Sequence, residues 1–105
     1  MVGTTTNNWA TVYEKDGNGN ALIEVASIKN TGIHNMSIKI TVEDLFTSVQ
    51  ATDTANLAPN QVWKEDTFHG FAPLQSIATP YTYWKIEVQS QTNGNPTTFE
   101  MKAAG

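Results

Sequence analysis

Met36-Ser37-Ile38-Lys39-Ile40-Thr41-Val42-Glu43 is the stretch on which the fold turns. Apolar and polar residues alternate along it without a break. Successive side chains of an extended chain leave opposite faces, so Met36, Ile38, Ile40 and Val42 share one face while Ser37, Lys39, Thr41 and Glu43 share the other. This period of two is the mark of a half-buried strand, with one face core and the other wet. After Glu43-Asp44 the pattern shifts to Leu45, Thr47 and Val49. A parity change inside a β run marks a bulge or a crossing between sheets, so a bend is expected near Asp44.

Working outward, residues 81–91 repeat the pattern, with Trp84, Ile86 and Val88 on one face and Tyr81, Tyr83, Lys85 and Glu87 on the other. Upstream, residues 8–15 are rich in β-branched and aromatic types and stop at Asp16-Gly17-Asn18-Gly19-Asn20, a hairpin signal. Residues 21–29 alternate again until Asn30-Thr31-Gly32. Residues 50–56 are polar and read as a connection leading to the turn Leu57-Ala58-Pro59-Asn60-Gln61. Strands are expected over 62–66, 74–78 and 97–102, the last carrying Phe99 and Met101. Between them lie the loop Phe68-His69-Gly70-Phe71-Ala72-Pro73, the turn Thr79-Pro80 and a hairpin turn, Thr92-Asn93-Gly94-Asn95-Pro96. About seven short strands at this spacing predict an all-β, single two-sheet antiparallel β-sandwich. Residues 1–8 are Thr- and Asn-rich, nearly uncharged and too polar to enter the core, so they read as a flexible N-terminal arm on a domain spanning 9–105.

Composition narrows the function classes. A chain of 105 residues supports one core. Ten acidic against six basic residues give a net charge of -4, and the lysines stand singly at 15, 29, 39, 64, 85 and 102 with no arginine. Phosphate backbones and anionic membrane surfaces both require clustered positive charge, so neither nucleic acid nor such a surface is an expected partner. The absence of cysteine removes disulfides, thiolate chemistry and Cys-ligated zinc. No membrane span and no signal-peptide pattern is read, and the chain is expected to be either cytoplasmically made or already mature.

Catalytic chemistry finds little to work with. His34 and His69 fall beside turns, away from acid or hydroxyl partners at motif spacing, and are expected as solvent-facing loop residues. Asp16-Gly17-Asn18-Gly19-Asn20 begins like a calcium loop, but Ala21 stands at the sixth position and Ser27 at the twelfth, so an ordinary β-turn is the better reading. Glu43-Asp44 and Glu65-Asp66 are adjacent carboxylates whose side chains point to opposite faces of a strand. Asn35-Met36-Ser37 fits the glycosylation pattern, but Met36 belongs to a core face. The protein is therefore expected not to be an enzyme and to need no cofactor or metal. Trp9, Trp63 and Trp84, with Tyr81 and Tyr83, raise a sugar-stacking platform; Trp84 reads as core, leaving Tyr81 and Tyr83, together with Phe68 and Phe71, as a possible binding face for a glycan or a protein neighbour.

Residues 22–90 resemble bacterial or archaeal immunoglobulin-like adhesion modules: a strand running into Asn30-Thr31-Gly32, the alternating strand 36–43, the Leu57-Ala58-Pro59 turn and the Tyr-rich strand 81–88. Such modules usually carry Gly where Asn60 stands, and Asn also tolerates left-handed backbone. The polar arm followed by a short sandwich is similar to small jelly-roll subunits of bacterial surface and spore filaments, in which the arm leaves its own domain and docks on a neighbour. That resemblance implies an immunoglobulin-like or jelly-roll sandwich, a homo-oligomer or homopolymer, and a structural subunit that self-assembles into a filament or surface layer by β-strand addition, through Thr4, Thr5, Thr6, Asn7, Asn8 and Trp9 or through edge strands. It implies an extracellular or cell-surface location, with cytoplasmic assembly, as for a virion or spore protein, as the other possibility. The alternatives are a carbohydrate- or ligand-binding module and a virion decoration or tail protein.

Overall fold

The computed structural model describes residues 1–21, 25–44, 50–64, 81–91 and 95–104. Its elements are β1 (Val2–Thr4), β2 (Ala10–Ala21), β3 (Val25–Asn30), β4 (Met36–Asp44), β5 (Gln50–Leu57), β6 (Val62–Lys64), β7 (Tyr81–Ser90) and β8 (Thr98–Ala104). They form two sheets of four, ordered β1-β8-β3-β6 and β2-β7-β4-β5, and every pair is antiparallel. The chain changes sheet at every connection except β4 to β5. That winding is the jelly-roll member of the expected pair, since an immunoglobulin-like chain would turn back within a sheet more often.

The alternation places the core as the sequence expects. Met36, Ile38, Ile40 and Val42 on β4 face inward beside Trp84, Ile86 and Val88 on β7. Ala26, Ile28, Phe99, Met101 and Trp63 close the core from the other sheet. The bend expected near Asp44 is a shift in the β4–β7 register between Glu43 and Asp44.

Four expectations differ from what forms. Residues 16–20 make no hairpin. They stay within β2, where the register slips between Asp16 and Ala21 opposite Tyr83 and Tyr81, so the Gly- and Asn-rich run is absorbed as an irregularity of one long strand. The run 92–96 joins no hairpin either, because β7 and β8 lie in different sheets. Polar residues 50–56 are not a connection: β5 pairs with β4 from Glu43↔Gln50 to Met36↔Leu57. An edge strand with a solvated face can be built from Thr and Asn when part of its inner face packs on the core: Leu57 and Ala55 stand opposite Met36 and Ile38, while Asp53, opposite Ile40, is half-buried.

The fourth difference concerns the arm. Residues 1–8 lie against their own domain: Val2, Gly3 and Thr4 pair with Glu100, Phe99 and Thr98. Glycine is required for this approach, since a Cβ at Gly3 would stand 2.6 Å from the Phe99 ring. Thr5 is buried although it is polar, because its hydroxyl is fully used. Thr5 Oγ1 accepts from Thr97 N (3.0 Å) and shares a 2.8 Å hydrogen bond with Ser90 Oγ. With Ser90 N donating to Thr6 O at 2.7 Å, the arm ties the two sheets together.

Candidate functional site

The outer face of the β2-β7-β4-β5 sheet is a grid whose composition follows from strand parity and register. One row across it is Thr11, Glu87, Lys39 and Thr54; the next is Glu14, Lys85, Thr41 and Thr52; the third is Tyr83, Glu43 and Gln50. Between these rows the face holds an open recess of about 680 Å3, lined from Lys39 and Glu87 at one end to Tyr83, Glu43 and Gln50 at the other. Almost every group that lines it is a hydrogen-bond donor, an acceptor or both.

Glu87 is the hub. Its Oε1 lies 3.9 Å from Lys39 Nζ and 3.5 Å from Lys85 Nζ, and its side chain is the least exposed of the three. One carboxylate is thereby shared by two ammonium groups from neighbouring strands. Thr41 and Thr52 share a 3.3 Å hydroxyl–hydroxyl hydrogen bond on the floor. Two aromatic residues frame the ends. The Tyr83 hydroxyl donates to Glu14 Oε2. At the other end Lys39 Nζ sits 4.4 Å from the centroid of the half-buried Trp9 ring, a cation–π contact.

The arm positions Trp9. Gln89 Nε2 donates to Asn7 O at 2.6 Å, and Thr6 Oγ1 donates to Asn8 O at 3.1 Å. These bonds fix the chain just before β2 and set the Trp9 ring beside Lys39 of the chain's own sheet. Of the expected binding face, Tyr83 lines the recess. Tyr81 lies two residues along β7, opposite Asp44 and Ala21. Phe68 and Phe71 lie outside the described residues. His69 does too, whereas His34 is half-buried and borders a smaller recess of about 320 Å3 with Ile33, Asn35 and Asn95. Among the described residues no group of three or more His, Cys, Asp or Glu could hold a metal ion.

Reading the sequence missed Lys39, Lys85, Glu87 and the Thr41–Thr52 floor as a unit. Lys39, Thr41, Lys85 and Glu87 stood correctly on wet strand faces, whereas Thr52 lay in a run read as a connection. What one strand at a time does not show is that the two wet faces adjoin in register, Lys39 opposite Glu87 and Thr41 opposite Lys85.

No protein-family model matches the sequence, and a search of curated proteins returns no match. Among solved structures, the fold is similar to a crystal structure of PirA, with a TM-score of 0.68 and 11% identity over 99% of this chain and 92% of that one. A structure of infectious bursal disease virus Gt strain aligns at a TM-score of 0.46 and 12% identity, over 98% of this chain and 29% of that one. At 11% identity the PirA likeness is one of fold, that of a two-sheet β-sandwich, and function has to be argued from this chain's own residues.

Proposed function

We propose that the protein is a non-enzymatic recognition module, acting outside the cell or at its surface, that binds carbohydrate on the outer face of the β2-β7-β4-β5 sheet. The observation that carries this reading is the 680 Å3 recess, walled by hydroxyl, amide, ammonium and carboxylate groups and by Tyr83, with Trp9 against its lining residue Lys39. A sugar presents hydroxyls around its rim and C–H groups on its faces. It is matched by a polar lattice with aromatic rings at its margin, and poorly matched by an apolar pocket. The test is retention on a glycan array by the wild type and by Tyr83→Ala. Binding that weakens in the variant supports the reading; a blank array removes it.

A second reading, self-assembly by strand exchange, is favoured by one observation. β1 is a three-residue edge strand held largely by main-chain bonds, and the side chains of Val2 and of Met1 just before it are 72% and 60% exposed. An edge strand that buries so little can pass to a second copy at small cost. Light scattering across a concentration series decides it: growth of the particle that disappears on removing residues 1–4 supports exchange, and a monomer at every concentration removes it.

A further inference from the structure

The two ends of the recess differ in a way that says what length and charge of ligand it takes. Tyr83 and Glu87 stand four residues apart on β7, which at about 3.3 Å per residue places the two ends about 13 Å apart along the strand. Trp9 lies beyond the Glu87 end, over Lys39. A single sugar ring cannot reach both aromatics. Between them the groups alternate in type along the strand direction, from Tyr83 and Glu43 through Lys85 and Thr41 to Glu87 and Lys39.

The charges set the second constraint. Lys39 and Lys85 both face Glu87 Oε1, and Lys39 is also covered by the Trp9 ring. Glu43 lines the same recess, and Glu14 accepts from Tyr83 beside it. The lining as a whole therefore sets two ammonium groups, which share Glu87, against two carboxylates, Glu43 and Glu87, and a further anion entering the recess would meet no net positive charge.

We infer that the recess takes an uncharged oligosaccharide laid along β7, with Trp9 as the stacking platform for the sugar farthest from Tyr83. This rests on the carbohydrate reading above. The face of an indole that holds an ammonium holds the polarised C–H face of a sugar for the same electrostatic reason. On binding, Lys39 turns from the ring toward a sugar hydroxyl and keeps its bond to Glu87. Trp9 thereby measures ligand length, because only a ligand of more than one unit extends to it.

The experiment uses the full chain and the mono- to pentasaccharide series of the neutral glycan that the array retains, with a matching uronic-acid series. Affinity is read by calorimetry and by tryptophan fluorescence. Trp63 and Trp84 are 5% and 0% exposed, so a ligand-induced change reports on Trp9. Affinity should rise from mono- to trisaccharide and then level off. Trp9→Ala should lose about tenfold against the longer ligands, the loss of one stacked ring, while leaving the monosaccharide unchanged, and Trp9→Phe should recover most of that loss. A glycan retained equally by wild type and Trp9→Ala, an affinity independent of length, or tighter binding of the uronic-acid series overturns this inference and leaves the carbohydrate reading standing. A blank array overturns both.

Discussion

The two sheets are built by different means. In the β2-β7-β4-β5 sheet the strands run to 12, 10, 9 and 8 residues, and long backbone ladders hold them together. In the β1-β8-β3-β6 sheet they run, among the described residues, to 3, 7, 6 and 3 residues, and buried polar side chains fasten its margins to the adjoining loops and to the other sheet. Asn30, fully buried, donates to His34 O and Leu57 O at 2.7 and 2.9 Å and accepts from Gly32 N and Thr97 Oγ1 at 3.1 and 2.9 Å. A sheet held by its backbone can leave its outer side chains to recognise something else.

The largest effects should follow the core beneath the long sheet. Trp84 is fully buried and packs its ring 4.7 Å from that of Tyr13, so Trp84→Ala should cost about 4 kcal/mol in denaturant unfolding. Its neighbour Tyr83 points to the other face, and Tyr83→Ala should cost less than about 1 kcal/mol. Comparable losses would show that the outer face is structural and would undo the contrast between the sheets.

Next in size is the staple of the short sheet. Asn30→Ala removes all four hydrogen bonds and leaves buried carbonyls without donors, for about 3 kcal/mol. Amide exchange should accelerate at Gly32 and the residues after it well before it does so in β4. A uniform acceleration would mean that Asn30 supports the whole sandwich and not one sheet. The smaller staple is Thr5, where Thr5→Val keeps the shape and loses the bonds to Thr97 N and Ser90 Oγ. About 1.5 kcal/mol is expected from thermal unfolding, with the folded state retained.

The same contrast explains what could be read from the sequence. The long sheet was legible in its two central strands: β4 and β7 alternate cleanly because one face packs and the other is wet, and the buried set Ile38, Ile40, Val42, Trp84, Ile86 and Val88 follows from parity alone. β5 was hidden because its pairing with β4 is a tertiary fact, and an edge strand needs little apolar character of its own. β1 and Thr5 were hidden for a related reason. Polarity argued against burial, while the hydroxyl's partners, Ser90 and Thr97, lie 85 and 92 residues away in sequence. The recess was half legible, with Tyr83 read as a surface aromatic but Lys39, Lys85 and Glu87 brought together only by register.

The smallest expected effect lies in the turn before β6, where the sequence spoke clearly. Asn60 has a φ of 70°, the left-handed region that a Cβ disfavours. The turn is closed around it: Gln61 N donates to Ala58 O at 3.0 Å, Ala58 N donates to Gln61 Oε1 at 2.8 Å, and Asn60 N donates to Asn30 O at 2.7 Å. That last bond ties the turn to the staple at Asn30. Asn60→Gly should therefore change stability by less than about 0.5 kcal/mol, the relief of strain offsetting the greater freedom of the unfolded chain. Asn60→Ala keeps the Cβ and loses the tolerance that Asn has for this geometry, for about 1 kcal/mol. The double variant Asn30→Ala, Asn60→Ala sharpens the point. If the turn and the staple act as one fastening, the two costs add to less than their sum, because Asn60 N has already lost a well-held acceptor. Strict additivity would make them independent fastenings of the short sheet.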